Sequence, residues 1–394
     1  MDLLLISVIA VIAIALLFDF TNGFHDAANS VATVVATRAL PAKWAPAFSA
    51  FFNFMAYFIV GTAVANTVAK TVKAEYGGVA LAFAALFAAV AWNYITWRFG
   101  MPSSSSHAII GGLVGAGLAA GGLEAIDWSS VQKAALGIIL SPAVAFSIAF
   151  AAMYLVLGLQ RLFKMHDNHP VFKGLQLVAA AGVSFGHGAN DAQKTMGVIA
   201  ALLLGAGYTD FAEDGKTIVV PEWVALSAYA AIALGTLWGG WAIIETMGLR
   251  ITTLHANSGL AANIGATTAI FGATAVGMPI STTHAAASSI IGAGVGSGKG
   301  ANWKVVGEMV VAWVLTIPAA GTVAFIVYKL TQLPTFGAVI AVGAVVLAFG
   351  AWAIHAMLNA KTASDVAAEI PKEAELADGV SGHPHIGGHG PVDE

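Results

Sequence analysis

Cysteine is absent from all 394 residues, and with it go disulfides, thiolate metal sites and thiol nucleophiles. Charge is almost as scarce. Asp, Glu, Lys and Arg make up 10% of the chain, against about 25% in an ordinary soluble domain. The few basic residues sit in short connecting stretches, so there is no basic surface for a nucleic acid. The net charge of -4 adds little, because the acids gather near the C-terminal end. A GxSxG elbow is also missing, and the adjacent Ser106 and His107 would diverge on a helix. We therefore expect no enzyme and no cofactor.

What fills the chain is apolar: 58% hydrophobic residues, 44 glycines and a mean hydropathy of +0.81. This composition places the chain in a bilayer, as an all-α, multi-pass protein of the cell membrane with lipid around it. A span takes about 20 apolar residues, since the hydrocarbon layer is roughly 30 Å thick and a helix rises about 1.5 Å per residue. Runs that serve are 3–18, 44–68, 79–97, 134–158, 175–183 continued into a polar stretch, 223–247, 256–276, 305–329 and 336–358. The first lacks the basic start of a signal sequence and leads directly into a polar motif, so we read it as retained. Segments 102–122 and 279–295 are polar in front and glycine-rich behind, which suits re-entrant hairpins or half-helices. Together these predict about 10–12 membrane segments.

Two motifs are written twice. Residues 101–117 read MPSSSSHAIIGGLVGAG and residues 278–294 read MPISTTHAAASSIIGAG. Upstream of each lies an acidic motif, TNGFHDAANSVATVVAT at 21–37 and FGHGANDAQKTMGVIAA at 185–201. Aligning Asp26 with Asp191 superposes Asn22 on His187, His25 on Asn190, Asn29 on Lys194 and Ser30 on Thr195. The order of spans repeats too, so the chain is one architecture duplicated. We divide it into a first repeat at 1–158, a linker at 159–174, a second repeat at 175–330, a further span at 331–358 and a hydrophilic tail at 359–394. The linker carries Arg161, Lys164 and Lys173, which suits a cytoplasmic loop. The tail should be disordered, and its GHPHIGGHG run has the composition of a weak metal tract.

Breaks at membrane depth are tolerated only where they are buried in protein or line a cavity. Duplicated breaks therefore point to a transported substrate near the midplane. Half-helices starting after Pro102 and Pro279 would aim free N–H groups and positive dipole ends at it. Ser104, Ser105 and Ser106 on one side and Ser281, Thr282 and Thr283 on the other suit a small tetrahedral oxyanion. Asp26 and Asp191 would repel that anion, and unpaired carboxylates in a membrane are costly, so each must hold a cation or a proton. Asn22, Asn29 and Asn190 add the neutral oxygens that a hard monovalent ion accepts, which favours sodium.

These four motifs, in this order from the first acidic motif to about residue 330, resemble the duplicated signatures of the PiT family of inorganic phosphate transporters. The resemblance implies a phosphate symporter driven by sodium or protons, with two inverted repeats, broken helices and a homodimeric assembly. It places the signature aspartates on Asp26 and Asp191, and the hydroxyls on Ser104–Ser106 and 281–283. Gln193 and Lys194 join the phosphate-binding set, Lys194 either as counter-charge or in place of one cation. His25 departs from the Asn usual in the family.

Glu245 and Asn66 occupy matching places in the two repeats, each followed by Thr, and are further site candidates. His107 and His284 are read chiefly as packing residues. In the competing reading they line an ammonium or other cation channel, which predicts continuous helices and has little use for so many hydroxyls.

Overall fold

The computed structural model describes residues 2–370, and these are helical with no strand beyond two isolated bridges. The first repeat runs α1 (Leu3–Asp26), α2 (Ala28–Ala36), α3 (Ala45–Met55), α4 (Ala63–Ala69), α5 (Val79–Arg98), α6 (Ser105–Gly121) and α7 (Trp128–Leu162). The second runs α8 (Pro170–Gly205), α9 (Glu222–Trp238), α10 (Trp241–Glu245), α11 (Ala256–Ala275), α12 (Thr282–Gly296) and α13 (Trp303–Thr331). Beyond it lie α14 (Thr335–Leu358) and a short α15 (Ala363–Glu369).

By length and composition, six of these helices can cross a membrane, or up to eight if each of two bent pairs is one span. That is fewer than the 10–12 segments expected. α8 carries His187, Asn190, Asp191, Gln193 and Lys194, all buried, so its second half lines an interior, while Val171, Leu175 and Val178 of its first half are exposed. α12, with 15 residues, reaches only about 22 Å of the roughly 30 Å layer.

The packing is reciprocal. α1 lies against α9 and α8 against α3; α6 lies against α13 and α12 against α7; α13 meets α5 as α11 meets α7. Each half thus completes its packing on the other. Two glycines at matching places show how tight this is. A Cβ on Gly23 would lie 2.1 Å from Ile232 O, and one on Gly188 would lie 2.3 Å from Asn53 O. Both obstacles are backbone, which cannot swing aside, so we expect Gly188→Ala to destabilise the protein by about 1–3 kcal/mol. Thermal unfolding in detergent checks this, with Gly174→Ala, which meets nothing within 4 Å, as the control.

Several expectations need correction. The acidic motifs, which the duplication also suggested as breaks, do not interrupt their helices. α8 runs unbroken through Asp191, and α1 and α2 are parted only by Ala27, itself helical at φ -50° and ψ -33°. An unbroken helix satisfies its own amides, and the glycines there serve close packing. The runs 44–68 and 223–247 are not continuous spans: α3 and α4 are bent by 89° around 59–62, and α9 and α10 by 67° at Gly239 and Gly240. The hairpins are larger than 102–122 and 279–295. Each is a helical hairpin, α5–α6 or α11–α12, turned at Gly100 or Gly277, both with φ +62°. The tail starts ordered: α15 packs on α10, Lys361 pairs with Glu245, and Arg38 donates to Ile370 O at 3.1 Å. The histidine-rich run lies outside the described residues.

Candidate functional site

The two hairpin tips meet the middles of α1–α2 and α8. Ser104 and Ser281 are the N-caps of α6 and α12, accepting from His107 N at 3.2 Å and His284 N at 3.1 Å. That is the ordinary service of serine at a helix start. It leaves the next two hydroxyls of each tip to face the polar side chains of α1, α2 and α8.

The contacts follow the duplication. Ser105 Oγ donates to Asp26 Oδ2 at 3.1 Å, and its counterpart Thr282 Oγ1 lies 3.3 Å from Asp191 Oδ2 and 3.5 Å from Asp26 Oδ2. Each remaining hydroxyl is reached from the opposite half. Lys194 Nζ donates to Ser106 Oγ, and Asn29 Nδ2 to Thr283 Oγ1 at 3.3 Å and Thr282 Oγ1 at 3.2 Å. Ser106 in turn donates to Ile280 O at 2.6 Å, tying the two tips together. Asn22 Nδ2 donates across to Asp191 Oδ2 at 3.4 Å, while His187 Nε2 stands 4.0 Å from Asp26 Oδ2 and 3.7 Å from Asp191 Oδ2. All these side chains are buried.

Positive charge is distributed unequally. Lys194 Nζ forms an ion pair with Asp191 Oδ1 at 2.7 Å. His25 Nδ1 lies 2.6 Å from Asp26 Oδ1, with its Nε2 3.0 Å from Thr96 Oγ1. The tautomer of His187 is set by its neighbours. Thr236 Oγ1 donates to Ile232 O at 2.8 Å, so it accepts from Asn53 Nδ2 at 2.8 Å. Asn53 Oδ1 then faces His187 Nδ1 at 3.2 Å and must receive its proton. In neutral His187, Nε2 therefore presents a lone pair to both carboxylates. It has no hydrogen-bond partner of its own. Asp26, His187 and Asp191 offer ligand atoms all within 4.8 Å of one another.

Other candidates lie elsewhere. Glu245 is held by Arg250 and Lys361, and Asn66 accepts from Ile218 N at 2.7 Å, fixing the loop after α8. Gln193 Oε1 accepts from Val64 N at 2.9 Å and Ala65 N at 3.2 Å, which caps the start of α4. Asn190 Nδ2 donates to Thr274 Oγ1 at 3.0 Å and Met278 O at 3.2 Å, and its Oδ1 accepts from Ile280 N at 3.3 Å. It thereby supports the second tip. His107 and His284 stack on each other with ring centres 4.4 Å apart, and His284 stacks on Trp313 at 3.9 Å. A pair closed on itself makes a poor channel lining. Sequence reasoning missed His187. The available signal was helical spacing: His187 precedes Asp191 by one turn.

Residues 22–324 match the model of the phosphate transporter family. The chain is 47% identical over 331 residues to a probable low-affinity inorganic phosphate transporter of Rhizobium meliloti, covering 82% of this chain and 96% of that one. A probable low-affinity inorganic phosphate transporter of Bacillus subtilis is 41% identical over 337 residues, covering 84% and 99%. Among solved structures, the sodium-dependent phosphate transporter superposes with a TM-score of 0.72 at 26% identity, covering 83% of this chain and 99% of that one. These relatives are transporters and not enzymes, and the helices long and apolar enough to span a bilayer fit a multi-pass membrane protein. The chain belongs to the phosphate transporter family.

Proposed function

We propose that the protein is a sodium-coupled symporter of inorganic phosphate, binding the anion between the tips of the α5–α6 and α11–α12 hairpins. The carrying observation is the convergence of His187 Nε2, Asp26 Oδ2 and Asp191 Oδ2 beside two helix N-termini. Three electron-rich atoms this close in a buried site call for a positive charge. The first-turn amides of α6 and α12 lack intrahelical acceptors and favour an anion. Ser105, Ser106, Thr282 and Thr283 are its hydroxyl ligands and Lys194 its counter-charge. Lys194 already serves Asp191 Oδ1, so one cation suffices between the two carboxylates. Each ion improves the site for the other, which is the basis of coupling.

Transport needs the site to open to either side in turn. The reciprocal packing of the two halves supports a pseudo-twofold relation, and inverted repeats would let the hairpins exchange positions about it. A homodimer belongs to the same reading, and the mass of the solubilised particle checks it.

Proton coupling is the second reading, because a proton on His187 Nε2 would also serve both carboxylates. Labelled phosphate uptake into proteoliposomes, driven by a sodium gradient or by a pH gradient, separates the two. Ammonium flux without phosphate uptake would overturn both. Ser105→Ala and Thr282→Ala should each raise the half-saturating phosphate concentration about tenfold, as expected from a lost hydrogen bond to a charged group. An unchanged value would remove that hydroxyl from the site.

A further inference from the structure

After α14 the chain turns back as a short strap, residues 359–370, which contains α15 and lies beyond the stretch that matches the family. It is held in three ways. Lys361 pairs with Glu245 of α10, Val366 and Ile370 are buried in the core, and Arg38 after α2 donates to Ile370 O. Thr362 and Asp365 cap α15 reciprocally, so the strap also fixes its own shape. Its face of the protein is that of the linker. Glu369 and Leu254 line one cavity, and just beyond Leu254 the backbone N–H groups of Ala256 and Asn257 bond Asn168 Oδ1 and Asp167 O of the linker, each at 3.0 Å.

What the strap covers is a joint between the two halves. Thr246 Oγ1 donates to Gly100 O at 2.8 Å, tying α10 to the turn of the α5–α6 hairpin, and Thr67 Oγ1 donates to Gly277 O at 2.9 Å, tying α4 to the turn of the other hairpin. The duplication thus supplies two equivalent joints. In each, the residue before the threonine holds a covering segment: Asn66 binds Ile218 through its N at 2.7 Å and its O at 3.4 Å, and Glu245 binds Lys361. The covers differ in kind. Ile218 belongs to a loop anchored by α8 on one side and α9 on the other. The strap hangs from α14 alone, and Lys361, with its side chain 39% exposed, holds Glu245 through a contact of the kind that water weakens. Beside it lies a cavity of about 140 Å³ walled by residues 97–100 of the hairpin turn, by α10 and by residues 359–361. Of these walls, the strap is the one that can leave without unfolding either half.

We propose that residues 359–370 are a releasable strap that locks α10 against the α5–α6 hairpin, so that the site opens to this face only when the strap lets go. The inference rests on the transport reading above and not on which cation drives it. With the strap seated, the contacts close a ring: the hairpin turn to α10 through Thr246, α10 to the strap through Glu245, and the strap to the end of α2 through Arg38. A ring that joins both halves holds them in one relation until a link breaks. The Lys361 link is the one built to break, because a single π-helical turn, Thr246–Arg250, sets Arg250 over Glu245 five residues on. When Lys361 leaves, Glu245 keeps Arg250, and no buried carboxylate is stranded.

The chain has no cysteine of its own, so thiol chemistry tests the strap directly in the full protein. Glu369→Cys with Thr253→Cys places two thiols on one cavity between the strap and the segment after α10. Bridging them with a bifunctional methanethiosulfonate in proteoliposomes should abolish labelled phosphate uptake, and reduction should restore it, while each single variant treated alike keeps its uptake. Uptake that continued at the unbridged rate would overturn the strap. Lys361→Gln loosens the same lock and should raise the maximal uptake rate about threefold with the half-saturating phosphate concentration unchanged, as expected where a partly exposed ion pair opposes a rate-limiting opening. A rate equal to or below that of the unaltered protein would mark a purely structural contact and overturn the proposal. Val366, 1% exposed on the inner side of the strap, reports release without transport. In Val366→Cys the reaction with a membrane-impermeant maleimide should quicken about threefold when Lys361→Gln is added, and an unchanged rate would overturn the strap. That quickening, found in a protein whose unaltered form took up no phosphate, would instead overturn the transport reading and leave the strap standing.

Discussion

Asp26→Asn and Asp191→Asn are each expected to leave a folded protein whose cation-driven phosphate uptake falls roughly 100-fold or more. The size comes from losing one charge-assisted contact of about 3 kcal/mol, where every 1.4 kcal/mol is a factor of about ten. The fold should survive because Asn has the shape of Asp and keeps an oxygen for the hydroxyl that bonds it, Ser105 for Asp26 and Thr282 for Asp191. The two variants should differ in one respect. Asp191 is shared with Lys194 at 2.7 Å, so Asp191→Asn also frees a buried ammonium, and its phosphate affinity should change along with its sodium dependence. In Asp26→Asn, sodium dependence should be the main loss. Initial rates of labelled phosphate uptake over a grid of sodium and phosphate concentrations measure both. A variant with normal sodium-driven uptake would remove that aspartate from the cation site.

The second large effect is expected at Lys194. Its side chain is among the largest fully buried ones, and its ammonium joins Asp191 of its own helix to Ser106 at the opposite hairpin tip. Lys194→Met keeps much of the volume but leaves Asp191 buried beside Asp26 with one balancing charge removed. Breaking a buried pair from one side typically costs about 3–5 kcal/mol. Thermal unfolding in detergent should show a loss of that order, partly reversed by sodium, which would take up the vacated carboxylate. Lys194→Met combined with Asp191→Asn should recover most of the stability, because no unpaired charge remains, and still not transport. If the single variant were as stable as the unaltered protein, the ammonium would not be neutralising Asp191.

How far the site was legible in the sequence depended on the kind of signal. Ser105, Ser106, Thr282 and Thr283 stood out because hydroxyl runs are rare in so apolar a chain and appear twice. Ser105 and Thr282 do meet the acids, and Ser106 and Thr283 meet Lys194 and Asn29, whereas Ser104 and Ser281 turned out to be helix caps. Asp26 and Asp191 stood out for the same reason. His187 was visible only as the partner of Asn22 in the repeat alignment. Its importance comes from Asn53 and Thr236, which lie on other helices and settle its tautomer. Glu245 and Asn66 show the opposite case. Matching places in a repeat and membrane depth made them candidates, yet one pairs with Arg250 and Lys361 and the other binds a loop. Equivalent positions in a duplicated chain need not keep equivalent neighbours.

Membrane residence, the helical class, the duplication and the pairing of an acidic with a hydroxyl motif are all written locally. Each rests on composition, on period or on identity at a distance along the chain, none of which needs a fold to be read. The bends around 59–62 and at Gly239 and Gly240, the unbroken passage of α8 through Asp191, and the exchange of contacts between the halves were decided only in three dimensions. A helix keeps or breaks its backbone pairing according to what its neighbours offer, and those neighbours come from more than a hundred residues away. The same holds for charge: Asp26 and Asp191 are two similar acids in the chain, and only the folded surroundings give one a histidine and the other a lysine.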